Sequence, residues 1–113
     1  RPPSPEAGGP PPREVIVIVG LGALELHLPY SRDLKSKRRV FKSLVERLHA
    51  RFRVSAAETA WHDLHQRAEI GVAIVARDAA EAERMLDEVL RLAEQEQEVE
   101  IAGWSPQILE EEA

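Results

Sequence analysis

The chain has 113 residues, of which 31% are charged and 43% are hydrophobic, and its formal net charge is −5. This length allows one domain at most, and the net charge excludes a protein that is basic over its whole surface. The absence of cysteine excludes disulfides and thiolate sites, and the lack of a long apolar run or a signal-like N-terminus predicts a soluble cytoplasmic protein with no membrane partner.

The N-terminal segment, residues 1–13, holds six of the eight prolines and is predicted to be a disordered tail. The next segment, residues 15–28, reads VIVIVGLGALELHL and begins with a continuous β-branched run. Its second half places leucines at alternate positions, with Glu25 and His27 between them. Alternation with a period of two is typical of a strand that buries one face, so this segment is predicted to be the first strand.

A helix is predicted from Asp33 to about Arg53, because aspartate is a good N-cap residue and apolar residues follow at helical spacing. The residues assigned to its buried face are Leu34, Phe41, Leu44, Val45, Leu48 and Phe52. Four cations stand between residues 35 and 39, where the positive end of the helix dipole disfavours them. A bound anion would reverse this cost, so the helix start is a candidate anion site.

Two further strands and a second helix are predicted after the first helix. The strands are assigned to residues 54–61 and 66–75, with a turn at 62–65 between them. Asp78 and Glu81 form a capping box at the start of the second helix. The outer face of this helix is acidic, as expected for a solvated helix.

The C-terminal part is predicted to hold a short fourth strand, residues 99–104, which either ends there or resumes after Pro106, and an acidic tail, residues 110–113. The element order β-α-β-β-α-β predicts an α+β, ferredoxin-like fold: a four-stranded antiparallel sheet with two helices on one face. The domain is assigned to residues 14–109. Its expected core residues are Leu44, Leu48, Ile70, Val72, Leu86 and Val89.

Charge is distributed unevenly along the chain. Residues 31–53 carry nine Lys and Arg against two Asp and Glu, a formal charge of +7, whereas residues 78–113 carry two against twelve, a charge of −10. We interpret the basic segment as a site for RNA or another anion. The residues assigned to this site are Lys35, Lys37, Arg38, Arg39, Lys42 and Arg67. The alternative is that the acidic second helix lies beside the first helix and neutralises it.

The turn after the second strand contains residue types that bind metals, namely His62, Asp63 and His65. Three ligands within four residues, without a distant fourth, are a weak metal signal, and a polar turn explains them better. No metal and no cofactor are expected.

Three carboxylates, Glu25, Glu58 and Glu69, are predicted to meet across strands on one sheet face. Paired carboxylates can act as an acid and a base, but neither a nucleophile nor a glycine-rich pocket accompanies them. We therefore expect them to pair with Arg67 or His27, and we expect no enzymatic activity.

Two motifs, DLKSKRRV at residues 33–40 and HDLHQRA at residues 62–68, resemble the YlxP-like family of small bacterial proteins, a domain family of unknown function. Members typically read SLKEKRRV and QDLWQRA at these places. Ser36 replaces the family's glutamate, which adds positive charge to the site, and His65 replaces its tryptophan. The resemblance covers about residues 21–109. It implies a ferredoxin-like fold and a link to translation, because genes of this family often neighbour those of ribosome-binding factor A and translation initiation factors.

These observations predict a non-enzymatic binding protein that contacts RNA or the ribosome through its basic first helix. The alternative is a small-ligand-binding or regulatory homo-oligomer that uses the open face of the sheet. That face is predicted to expose small and apolar side chains, and monomers rarely leave such patches bare beyond a few hundred Å². A homodimer is therefore expected.

Overall fold

The computed structural model describes residues 16–112, so the predicted tail at residues 1–13 lies outside the described residues. The elements, in chain order, are β1 (Ile16–His27), α1 (Leu34–Arg51), β2 (Ser55–Ala60), β3 (Arg67–Ala76), α2 (Ala79–Glu94) and β4 (Glu100–Glu112). The strands and α1 lie within about two residues of their predicted bounds, except for the end of β4, and α2 begins directly after its predicted cap, Asp78.

The four strands form one antiparallel sheet in the order β2-β3-β1-β4. Both helices pack on the same face of this sheet, so the predicted α+β, ferredoxin-like fold is confirmed. Along β1 the even-numbered residues from Ile18 to Leu26 are buried beneath the helices, and the odd-numbered ones are half-buried. The sheet therefore has a covered face and an open face, and the open face carries the odd-numbered residues of β1, as predicted.

The core lies between the sheet and the helices, and all six residues predicted for it are at most 4% exposed. Two glycines of β1 make room on the covered face. A Cβ at Gly20 would lie 3.3 Å from Leu86, and a Cβ at Gly22 would lie 2.4 Å from the Trp104 ring. Gly22 thus makes room for an indole that packs against the core from β4.

The buried face of α1 differs from the predicted one. Its buried residues are Lys37, Val40, Leu44 and Leu48. The other four residues of the predicted face are only half-buried, although Phe41 and Phe52 still pack against the core. Apolar residues occupy a broad arc of this helix, and the sheet covers only one part of that arc. The periodicity of the sequence locates the arc but not the part of it that is covered.

The fourth strand is longer than predicted, because β4 continues through Pro106 without a break. Pro106 lies opposite Gly22 on an edge strand, where a missing N–H can face solvent rather than a neighbouring strand. Glu110, Glu111 and Glu112 were predicted to belong to a tail, but they pair with the first residues of β1. They remain exposed, and Ala113 lies outside the described residues.

Candidate anion-binding surface

The first turns of α1 are built by a local cap. Asp33 adopts an extended backbone conformation, and its side chain accepts a hydrogen bond from the Ser36 backbone N–H at 2.7 Å. This bond lowers the pKa of Asp33. The cap satisfies one free N–H group of the helix start, although Ser36 offers no carboxylate in return. The first turn of α1 contains no acidic residue.

Five cations near the start of α1 point to solvent, and we call them the exposed cation cluster. Its members are Arg32, Lys35, Arg38, Arg39 and Lys42, and all five are exposed. Arg39 pairs with Glu98 at 3.1 Å, and Lys42 lies 4.0 Å from Glu46. Within residues 16–112 the other three members have no carboxylate within 4.0 Å. The cluster therefore keeps an excess of positive charge.

Apart from Glu46 on the helix itself, the acids that pair with exposed cations of α1 come from the segment after α2, not from α2. Glu98 bonds Arg39, and Glu96 bonds Arg47 at 2.6 Å. Both glutamates lie between the end of α2 and the start of β4. Glu96 and Glu98 thus neutralise two arginines of the basic helix. Among the described residues no carboxylate of α2 lies within 4.0 Å of a cation of α1, so the predicted neutralisation by the second helix is not observed.

Lys37 is separate from the exposed cation cluster, because its side chain is only 2% exposed. Its ammonium group donates to the backbone carbonyls of Trp61, His62 and Arg67 at 2.9, 3.5 and 3.2 Å. Glu58 Oε2 lies 2.7 Å from the same Nζ and is the nearest of its four oxygen neighbours, so the ammonium group is also in an ion pair with this carboxylate. Lys37 therefore holds the turn after β2 in place, and the conformation described leaves it no contact with an external anion.

Trp61 begins this turn with a φ of 58°, a left-handed conformation that is rare for a bulky side chain. Its carbonyl accepts from Lys37, and its ring lies 4.1 Å from the Arg67 guanidinium. Arg67 also bonds Glu25 on the open face of the sheet. These contacts offset the strain at Trp61. They also place the Arg67 side chain on the opposite face of the sheet from α1, so the structure does not bring it together with the exposed cation cluster.

The three carboxylates that were predicted to meet are divided between the two faces. Glu25 and Glu69 lie opposite each other on the open face, where Glu69 accepts from the Thr59 hydroxyl at 2.6 Å. Glu58 lies on the covered face beside Lys37. The predicted pairing of Glu25 with Arg67 is confirmed, whereas His27 pairs with Glu100 of β4 at 2.8 Å.

The pKa of Glu58 is set by opposing effects. Burial alone would raise it, but the contacts with Lys37 and with the His62 ring, 3.2 Å away, outweigh burial and lower it. The carboxylate is thus held ionised as the partner of a buried ammonium group. Within the described residues, no group of three or more His, Asp or Glu is placed to hold a metal ion.

An exposed aromatic residue, Tyr30, lies beside the cluster and was not singled out from the sequence. Its side chain is 75% exposed, and it lines a depression together with Arg32, Ser36 and Arg39. The signal available in the sequence was an aromatic residue in the short Pro-Tyr-Ser turn between β1 and the helix cap. Aromatic residues are more often buried than placed at the tip of a turn, so the exposure of Tyr30 marks it as a candidate contact residue for a ligand.

The profile of a family described as "Protein of unknown function (DUF503)" matches residues 19–105. The chain belongs to this family. A protein of Bacillus subtilis (strain 168) named "Uncharacterized protein YlxP" is 30% identical to this DUF503 chain over 83 residues, which cover 74% of the chain and 90% of the relative. The resemblance based on the two motifs is therefore confirmed.

The DUF503 match contains the whole exposed cation cluster, the Lys37 site and the turn from Trp61 to Arg67. The family description and the name of the relative state no activity. Among the described residues, no helix is long and apolar enough to cross a membrane.

Proposed function

We propose that this DUF503 protein is a non-enzymatic binding protein that contacts RNA, free or on a ribosome, through the exposed cation cluster. The observation that carries this proposal is the cluster itself: five exposed cations within eleven residues, three of them without an acidic partner in the described part of the chain. Exposed cations repel one another unless an anion lies between them. A phosphate backbone supplies such anions at regular spacing.

The net charge of −5 does not oppose this proposal, because screening limits the reach of each charge. At physiological salt the Debye length is about 8 Å, so a phosphate chain at α1 is influenced mainly by the charges near it. Glu110, Glu111 and Glu112 of β4 pair with the first residues of β1, at the opposite end of that strand from the turn that leads into α1. Such binding rests on charge, so it is expected to be weak, tolerant of sequence and steeply dependent on salt.

The test is fluorescence anisotropy with a labelled single-stranded RNA at about 50 and about 200 mM salt. Four phosphate contacts give a slope of roughly −3 in log affinity against log salt, or about a 50-fold loss over this range. The quadruple variant Lys35→Ala, Arg38→Ala, Arg39→Ala and Lys42→Ala is expected to lose both the binding and the salt slope. Circular dichroism verifies that the variant folds.

A matched control removes the same charge elsewhere, through Arg53→Ala, Arg77→Ala, Arg84→Ala and Arg91→Ala. This control is expected to retain most of the affinity, because its four arginines lie away from the start of α1. The proposal is wrong if the wild type fails to bind RNA at the lower salt, where charge-driven binding is strongest. Equal losses in the two quadruple variants would likewise contradict a local site.

We propose as the second candidate function a homo-oligomer, regulatory or ligand-binding, that uses the open face of the sheet. The observation that favours it is a depression of about 460 Å³ on this face, lined by small and apolar residues of the central strands such as Leu21, Ala23 and Ala73. Val75 on the same face is 72% exposed. A solution mass of about twice 12.7 kDa would support this function.

A further inference from the structure

Tyr30 is presented to solvent on a backbone that the surrounding residues hold in place. The Ser31 N–H donates to the Leu28 carbonyl at 3.2 Å, and the Ser31 hydroxyl donates to the Asp33 carbonyl at 3.1 Å. From the neighbouring turn, Gln66 Nε2 donates to the Ser31 carbonyl at 3.3 Å. Ser31 itself is 6% exposed. The aromatic ring therefore projects from an anchored turn, which lowers the entropy lost when a ligand binds to it.

The depression beside the ring is small and mainly polar. Its volume is about 210 Å³, below the roughly 300–1,000 Å³ of sites that enclose a drug-sized ligand. Arg32, Ser36 and Arg39 line it with donors, and the Glu98 carboxylate closes one side. A space of this size suits one planar group at a time, with charged groups of the same ligand lying outside it.

Glu98 distinguishes between two parts of a nucleotide. A phosphate in the depression would face the Glu98 carboxylate and compete with it for Arg39, with which Glu98 already pairs, so the depression is a poor place for a phosphate. A nucleobase instead offers ring faces to Tyr30 and amino groups that can donate to an acidic side chain. The cations on the rim, with the rest of the exposed cation cluster, then lie where the adjoining phosphates would be.

We propose that Tyr30 is a stacking residue for a nucleobase of single-stranded RNA, with the exposed cation cluster binding the phosphates on either side of that base. This proposal rests on the proposed function and names its ligand: a single strand with an accessible base. In a duplex the bases are already stacked on one another, so a duplex contacts the cations but leaves the ring exposed.

The test compares wild type, Tyr30→Ala and Tyr30→Phe for binding to a labelled RNA single strand and to an abasic strand of the same length. Stacking contributes about 1–3 kcal/mol for each base, so Tyr30→Ala is expected to weaken RNA binding by about 5- to 150-fold. Tyr30→Phe keeps the ring and is expected to bind within about threefold of wild type. Because no charge is removed, the salt slope of Tyr30→Ala is expected to equal that of wild type.

The abasic strand separates stacking from charge. Wild type is expected to bind it more weakly than RNA, and Tyr30→Ala is expected to bind the two strands equally. Unchanged RNA affinity in Tyr30→Ala would overturn the stacking role while leaving RNA binding by the cluster intact. Equal losses in Tyr30→Ala and Tyr30→Phe would also overturn it, whereas a wild type that binds no RNA overturns both proposals.

Discussion

Lys37 and Glu58 form the ion pair that attaches α1 to the turn after β2. The ammonium group has three carbonyl acceptors and one carboxylate around it, all contributed by residues 58–67. A buried ammonium without such partners would be costly, so each partner keeps the charge in the interior. The contact also fixes the direction in which the chain leaves Trp61, whose left-handed backbone the carbonyl bond supports.

Replacing Glu58 by glutamine is expected to destabilise the fold by about 1–3 kcal/mol at pH 7, the range for a lost hydrogen bond or contact with a charged group. The pKa of Glu58 is lowered in the folded state, so its contribution to stability is complete above the unfolded pKa of about 4.5. That contribution is lost as the pH falls through the folded value. Urea denaturation at a series of pH values measures the free energy of unfolding of both proteins. The difference between wild type and Glu58→Gln is expected to shrink as the pH falls into the acid range.

The exposed Glu46 provides the control for this pH dependence, since it lies 4.0 Å from Lys42 and is 67% exposed. Glu46→Gln is expected to change stability by less than about 0.5 kcal/mol at any pH. Asp33 and Glu81 also have lowered pKa values, chiefly through hydrogen bonds from the backbone N–H groups of Ser36 and Arg77. Wild type and both glutamine variants are therefore all expected to lose some stability in acid. A difference in unfolding free energy between wild type and Glu58→Gln that does not narrow at all as the pH falls from 7 towards acid unfolding would contradict the assigned role.

At the level of the elements, the sequence predicted the strands and helices because their apolar residues repeat with a period of two or near 3.6. It did not predict that Lys37 is buried, because its acceptors are carbonyls 24 to 30 residues away. The sequence left open whether β4 ends before Pro106 or resumes after it, because proline usually interrupts strands. Only the position of β4 at the sheet edge makes Pro106 acceptable inside one continuous strand. Such features depend on tertiary contacts that periodicity does not contain.

The observed orientation of α1 leads to a prediction about its two apolar flanks. Leu48 is fully buried, so Leu48→Ala is expected to destabilise the fold by roughly 2–5 kcal/mol. Val45 is half-buried, and Val45→Ala is expected to cost about 1 kcal/mol or less. Chemical denaturation of both variants measures the difference. A loss below about 0.5 kcal/mol for Leu48→Ala would show that a different face of α1 covers the sheet.

On the scale of the whole molecule, the two faces of the sheet separate two kinds of surface. On the covered face, α1 and the residues just before it carry the exposed cation cluster. The open face carries an apolar half around Leu21 and a charged half around Glu25 and Arg67. A two-fold dimer through the open faces would leave both cation clusters accessible on its outer sides. Two clusters on one particle raise the avidity for a long polyanion without any new contact.

The area of the open face is sufficient for a modest dimer. The open face is four strands wide, with about 4.8 Å for each strand, and about 34 Å long in the direction of β1. Its footprint is therefore roughly 600 Å² on each copy. Two copies then bury roughly 1,200 Å², at the lower limit of specific interfaces. Self-association is therefore expected at micromolar protein concentrations rather than as an obligate dimer.

Ala73 is the position at which this dimer can be tested, because it lies near the middle of the open face. Its neighbours across the sheet are Ser55 of β2 on one side and Leu21 of β1 on the other. Light scattering is expected to give about twice 12.7 kDa for wild type and a single chain mass for Ala73→Arg, since an unpaired guanidinium would be buried between the sheets. Ala50→Arg adds the same charge on the exposed side of α1 and is expected to leave the dimer intact. A wild type that stays monomeric at these concentrations would contradict self-association and leave the open face to a different partner.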